Sequence, residues 1–285
     1  MYKATVRAIK SLKIQGAQRI ALKGAKALTT CKQLSEIKLA AKELGKARPT
    51  EPCLRNALRY ASKGLPGDFS GELRQRLSYI QHYFSDAQQK IAVYGARRIK
   101  QGNIVFTHCH SSTVVEILKL AKAKGRHFSV HNTETRPFYQ GRITARELVK
   151  AGIKVTHFVD AAARMAIKKA NIMLIGADAV TSDGFVVNKI GSEMFAEIAN
   201  AYQIPVYACT LSWKFDPATA FGFDERLESR FTKEVWAKPP KNLKISNVVF
   251  EKVHPRLITG IISELGIHTV YGFIEEVKRA FPWIS

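Results

Sequence analysis

The sequence predicts an α/β protein with two domains: an all-helical N-terminal domain over residues 1–99 and a Rossmann-like, doubly wound, mainly parallel sheet over residues 100–285. Two changes in pattern carry this reading. Up to about Ile99 the apolar residues recur every three or four positions, as one buried face of a helix requires. From Gly102 onward, short β-branched runs with little polar alternation are separated by amphipathic segments, the signature of a parallel sheet covered on both faces.

In the first domain, "VRAIKSLKIQGAQRIALKGAKAL" spaces Ile9, Leu12, Ile20 and Leu22 among lysines and arginines. "QLSEIKLAAKELGKA" and "FSGELRQRLSYIQHYFSDAQQKIAVYGARRIK" continue the helical spacing. Breaks are expected at Gly16, at "ARPTEP" and at "SKGLPGDFSG", where Ser70 is placed to cap the next long helix. In the second domain "NIVFT", "HFSVHNT", "IKVTHFV", "NIMLIGA" and "IPVYACT" read as strands. The helices between them are "STVVEILKLAKAKG", "ARELVKAG", "AAARMAIKKA" and "GSEMFAEIANAYQ". The segment after Thr210 is less regular and is placed to reach a partner subunit. A last strand, "LITGIISE", and a helix, "GFIEEVKRAF", complete the sheet.

No apolar run reaches the ~18 residues of a membrane span, and the basic start lacks the continuous apolar stretch of a secretion signal. A cytoplasmic protein without a membrane partner is expected. The four cysteines are scattered with no CxxC pair, so buried, reduced thiols are expected rather than disulfides or zinc ligands. His108 and His110 are the only close histidine pair and no HExxH occurs, so no metal site is indicated. The first strand is not followed by GxGxxG, which argues against a dinucleotide cofactor. The net charge of +22 is uneven. Residues 1–100 hold 21 Lys/Arg against 6 Asp/Glu, or +15, and the remainder 24 against 17, or +7. Such a field draws phosphorylated metabolites or polyanions. The cations are interspersed through helical patterns rather than gathered with aromatics, which argues against nucleic acid as the partner.

Ligands of doubly wound sheets bind beyond the carboxyl ends of the strands, so the polar residues that follow each strand are the candidates. After "NIVF" come Thr107, His108, Cys109, His110, Ser111 and Ser112, with a helix expected from about Thr113. Ser111 or Ser112 is a natural N-cap, and the amides beyond it form an anion site. Cys109, near that positive end and beside histidines, is either a thiol of lowered pKa or a small apolar strand end. Glu134 and Arg136 follow the second strand, as an ion pair holding the loop or as substrate contacts. Asp178 follows "NIMLIGA". The turn "SDGF" brings Asn188 and Lys189 back beside it, at a helix starting near Gly191. Lys214 follows "IPVYAC", as a surface charge or part of the same rim. A carboxyl, a thiol and several cations on one edge suit general acid–base chemistry on a small phosphorylated ligand.

The set "THCHSS", "TETRPFYQGR", "GADAVTSDGFVVNKIG", "SWKFDP", "IQGAQRIA" and "ARPT…NALRYA" resembles a superfamily that joins two groups. One comprises the aldose-1-phosphate isomerases, including those for ribose 1,5-bisphosphate and methylthioribose 1-phosphate. The other comprises the alpha, beta and delta regulatory subunits of the exchange factor for eukaryotic translation initiation factor two. The likeness is strongest to the archaeal ribose-1,5-bisphosphate isomerases of nucleotide salvage. That resemblance implies that Cys109 accepts the C2 proton and Asp178 donates the proton that opens the sugar ring. It implies that Gly16, Ala17, Gln18, Arg48, Ser111, Ser112, Arg136, Asn188, Lys189 and Lys214 hold the phosphates and hydroxyls. It further implies a homo-oligomer (dimer or hexamer), AMP as an effector, and neither metal nor nicotinamide. Initiation factor two would be a partner only for a non-catalytic regulatory subunit. One position departs from the pattern: Gln15 stands where the family carries arginine. A glutamine donates a hydrogen bond but forms no charged fork, a difference of ~1.5–3 kcal/mol in phosphate binding. Arg19, one helical turn away, is the residue placed to compensate.

Overall fold

A computed structural model describes residues 2–14, 16–221 and 231–284. Five helices open the chain: α1 (Tyr2–Lys10), α2 (Ala17–Ala27), α3 (Leu34–Gly45), α4 (Pro52–Ser62) and α5 (Ser70–Arg98). Their apolar stripes, including Ile9, Ile20, Ile37, Leu54, Ile80 and Phe84, are buried as the spacing demands. Two details differ from expectation. Leu12 lies beyond the end of α1 in left-handed backbone (φ 58°), so it ends the helix rather than extending its stripe. Ser70 does not cap α5. Phe69 occupies the cap position without a side-chain cap, its side chain buried, and its carbonyl accepts the Leu73 N–H at 2.8 Å.

The alternating part then runs β1 (Ile104–Thr107), α6 (Ser112–Ala123), β2 (Ser129–Thr133), α7 (Gln140–Lys150), β3 (Lys154–Phe158), α8 (Ala163–Ile167), β4 (Ile172–Gly176), β5 (Ala179–Thr181), β6 (Val186–Lys189), α9 (Ser192–Ala201) and β7 (Val206–Cys209). It closes with β8 (Phe215–Asp216), β9 (Phe250–Val253), β10 (Gly260–Ser263), β11 (Gly266–His268) and α10 (Val270–Ala280). The main sheet has the order β11-β10-β7-β4-β1-β2-β3, and every pairing is parallel except β10 with β11. Strand order reverses between β1 and β4, and at such a switch point the loops leave to opposite faces and open a crevice.

Burial on both faces holds for β4, β7 and β10 but not for the edge strand β3, whose residues are exposed or half-buried. The "SDGF" turn joins β5 to β6, but only Gly184 takes positive φ (91°), so the loop is wider than a two-residue hairpin. That hairpin belongs to a second, four-stranded sheet of order β8-β5-β6-β9, built outward from the end of β4. The segment after Thr210 supplies two of its strands, and residues 222–230 lie outside the described residues. Among the described residues no helix is long and apolar enough to cross a membrane.

Helices give way to alternation between Arg98 and Ile104, but the core does not divide there. One continuous apolar cluster runs from Ile9 through Leu54 and Phe84 to Trp213 and Phe281. At the junction the fully buried Trp213 packs on Tyr83 (ring centroids 4.5 Å apart), Trp283 (5.0 Å) and Phe84 (5.4 Å). The buried Asn56 amide of α4 donates to the carbonyls of Trp213 and Phe215, each at 2.9 Å, and Arg55 pairs with Asp216 at 2.6 Å. The Tyr83 hydroxyl of α5 donates to Glu264 at 2.5 Å. Asn56→Ala leaves two buried carbonyls without donors, so we expect about 2 kcal/mol of destabilisation, read as a lowered urea midpoint at unchanged m.

Candidate active site

At the end of β1 the chain makes a constrained turn. Cys109 adopts left-handed backbone (φ 65°), unusual for a residue with a Cβ. It is held from both sides: its N–H donates to Thr135 Oγ1 at 3.1 Å and its carbonyl accepts from Thr144 Oγ1 at 2.9 Å. Thr135 is itself anchored, because the Asp160 carboxylate accepts the N–H groups of Thr135 (2.9 Å) and Arg136 (2.7 Å). Strain over-determined in this way is characteristic of positions where a side chain must be aimed. Ser111 caps α6, its hydroxyl accepting the Val114 N–H at 3.4 Å, and the helix begins at Ser112. Gly176 at the end of β4 makes room for that cap, since a Cβ there would stand 2.9 Å from both Cβ and Oγ of Ser111.

Cys109, Ser111, Ser112, Asp178, Asn188, Lys189 and Lys214 line one cavity of about 500 Å³ over the switch point. Its opposite wall comes from the helical part: Gly16, Ala17, Gln18 and Arg19 at the start of α2, and Arg48 before α4. Gln15 lies outside the described residues. Asp178 is half-buried, with its N–H bound to the Val187 carbonyl at 2.8 Å. Asn188 donates to Ser192 at 2.9 Å. The Lys189 ammonium, on a buried side chain, sits 4.9 Å from the centre of the Phe250 ring. Lys214 reaches back across the strand ends to donate to the Ala177 carbonyl at 2.5 Å. Arg48 pairs with Glu51 at 3.7 Å. Four cations therefore face two carboxyls, Glu51 and Asp178, across this space.

Arg136 is not among the lining residues. The left-handed backbone of Thr135 (φ 63°), pinned by Asp160, turns the chain there. The exposed Arg136 guanidinium instead donates to the Tyr139 hydroxyl (2.8 Å) and the Val235 carbonyl (3.2 Å). Glu134 pairs with Arg142 of α7 at 3.6 Å, not with Arg136, so the expected ion pair between Glu134 and Arg136 is replaced by separate partners for each charge. Glu51, Gln140 and Phe250 are cavity residues that sequence reasoning missed. Glu51 left a signal as a carboxylate inside the helix-breaking run "ARPTEP", and Gln140 lies in the quoted run "TETRPFYQGR"; Phe250 left none.

The electrostatics of the thiol also differ from expectation. Cys109 is only 8% exposed, and burial pushes its pKa up to about 11, against the pull of the Lys189 ammonium and the His110 backbone N–H. Neither histidine supplies a neighbouring positive charge. Burial lowers the His108 pKa to about 4, and the ring is neutral, Nε2–H donating to the Ile190 carbonyl (2.9 Å) while Nδ1 accepts from Thr133 Oγ1 (2.6 Å). Burial likewise lowers His110, which bonds Thr144 at 3.0 Å. His108 is thus a packing group, edge-on to Phe195, and His110 supports the hydroxyl that holds the Cys109 carbonyl. Among the described residues no cluster of His, Cys, Asp and Glu could hold a metal ion, and all four cysteines are free and buried.

The sequence matches the initiation factor 2 subunit family (IF-2B) over residues 6–270. The chain belongs to this family. It is 36% identical to the ribose 1,5-bisphosphate isomerase of Methanocaldococcus jannaschii, covering 99% of this chain and 96% of that protein. It is 35% identical to the ribose 1,5-bisphosphate isomerase of Thermococcus kodakarensis, covering 96% and 93%. Among solved structures it superposes on the translation initiation factor eIF-2B of Pyrococcus horikoshii with TM-score 0.83 and 32% identity, over 94% of this chain and 96% of the other.

Two outcomes follow from the site's electrostatics in this IF-2B protein. Alkylation of Cys109 by iodoacetamide should accelerate about tenfold per pH unit from neutrality toward pH 11, because the thiolate is the reacting form. A rate that levels off near pH 8.5, the ordinary thiol value, would refute the burial argument. His108, neutral when folded and freer to protonate when unfolded, should cost stability as pH falls from the ordinary 6.5 toward about 4. The loss should reach roughly 3 kcal/mol and be smaller in His108→Gln, measured by urea unfolding across that range.

Proposed function

We propose that the protein is an aldose–ketose isomerase that converts ribose 1,5-bisphosphate to ribulose 1,5-bisphosphate, with Cys109 and Asp178 moving the protons. The observation that carries this reading is the meeting of that thiol and that carboxyl in one cavity with Arg19, Arg48, Lys189 and Lys214. The relatives named ribose 1,5-bisphosphate isomerase, aligned over nearly the whole chain, support the same substrate class.

In the proposed sequence Asp178 protonates the ring oxygen as the bond from that oxygen to C1 breaks. Cys109 takes the C2 proton, whose electron pair forms a C1=C2 double bond and leaves an enol phosphate. Protonation at C1 and loss of the proton from the oxygen on C2 then give the ketone, with no net oxidation and no atom gained or lost. The chemistry needs a base and an acid about one sugar apart and fixed cations for two phosphates. The α6 amides behind Ser111 and the α2 amides behind Gly16 supply further donors on opposite walls. Lys189 does two things in this scheme: it pairs with a phosphate and it favours the thiolate.

The same reading extends to a cytoplasmic homo-oligomer, dimer or hexamer, that takes AMP as an effector in nucleotide salvage. A second reading, a non-catalytic subunit of the exchange factor for initiation factor two, is favoured by the match to eIF-2B and by the basic helical part. Ribose 1,5-bisphosphate supplied to the purified protein, with and without AMP, separates the two. Turnover is expected, and its absence together with co-purification of initiation factor two would favour the subunit. Cys109→Ser and Asp178→Asn should each lower kcat at least a hundredfold while melting like the parent. Retained turnover in the double variant would remove both residues from the mechanism.

A further inference from the structure

A second pocket, of about 450 Å³, lies at the opposite edge of the main sheet. Asn103, Asn171 and Pro205 line it, each just ahead of a neighbouring strand, β1, β4 and β7. Over these amino ends stand Arg97, Arg98 and Lys100 from the end of α5. No carboxylate lines the pocket, and among the described residues none of the three cations forms an ion pair.

The polar groups of this wall are donors. The Asn103 side-chain oxygen is committed to the Lys100 N–H and that of Asn171 to the Ile104 N–H, both at 2.8 Å. Each amide therefore has its NH₂ left to offer. The Pro205 carbonyl accepts the Met173 N–H at 2.9 Å, so it too is occupied. Arg98 lies over the Tyr207 ring, 4.9 Å from its centre, and donates to its hydroxyl. The ordinary reason for cations at a helix C-terminus is to meet its carbonyls. Here Arg126 already does so, donating to the Ala96 and Ile99 carbonyls. Three like charges held together at a concave, donor-lined surface repel one another until an anion arrives.

We propose that this amino-edge pocket is a second anion site, taking one small molecule that carries phosphate groups. It is separate from the catalytic cavity and independent of the reaction assigned there. A pocket of this volume, walled by strand starts on one side and a helix end on the other, suits a compact ligand rather than a polynucleotide strand.

The test is calorimetric titration of the full-length protein with inorganic pyrophosphate at low ionic strength. Two binding events are expected, one in each cavity. Arg97→Gln/Lys100→Gln should weaken one about tenfold or more and leave the other, while Lys214→Met should do the reverse. Both altered cations of the double variant are exposed, and Arg98→Gln, at the same pocket, should reproduce its loss; melting temperatures check the fold of each. A single event abolished by Lys214→Met, or wild-type pyrophosphate affinity in the amino-edge variants, would overturn the proposal. So would a short single-stranded RNA that binds more tightly than pyrophosphate and depends on the same cations, which would make the pocket part of a polynucleotide track.

Discussion

The clamp of α4 on the turn after β7 is the contact on which the site depends. The Asn56 amide satisfies two carbonyls, Arg55 holds Asp216, and Trp213 fills the space between the two parts of the chain. Buried carbonyls left without donors are costly, so the helical part has one way to sit on the sheet. That pose sets the start of α2 and the α3–α4 connection over the carboxyl edge of the strands. The cavity is therefore a joint product, with the Cys109 thiol and the Asp178 carboxyl from the sheet part and Arg19 and Arg48 from the helices.

Within the cavity, burial and charge work against each other. A dry wall raises the cost of ionising Cys109, and Lys189 gives part of that back. The thiol is consequently neutral at rest and strongly basic once ionised, a different device from a histidine-paired cysteine. His108 illustrates the same economy: both ring nitrogens are used up in hydrogen bonds that fix the end of β1 against β2 and the turn after β6. The aim of the sulfur comes from the two threonine hydroxyls that hold a backbone conformation the residue would not choose.

Cations gather at both edges of the main sheet. At the carboxyl edge Arg19, Arg48, Lys189 and Lys214 share the cavity with Glu51 and Asp178. At the amino edge Arg97, Arg98 and Lys100 stand with the Asn103 and Asn171 amides and the Tyr207 ring, with no carboxylate in the lining. The same three central strands, β1, β4 and β7, lead from one edge to the other.

Much was legible in the residues alone. Apolar period distinguishes helix from buried strand because it reports which faces lose water, and it placed the helical part, all six parallel strands and the polar groups at their ends. Cys109, Asp178 and Lys214 could be picked out because every parallel strand delivers its next residues to the same edge, and Asn188 and Lys189 because the turn at "SDGF" folds β6 back beside Asp178. Direction after a loop is another matter. Arg136 stands three residues past β2, little farther than Cys109 stands from β1, and the left-handed turn at Thr135 sends it elsewhere. The β5–β8 and β6–β9 pairings of the second sheet and the edge position of β3 depend on which distant segments come together, which local periodicity does not encode. The protonation of Cys109 and His108 was likewise undecided, since a pKa follows from the depth and charge that folding creates around a group and not from its neighbours along the chain.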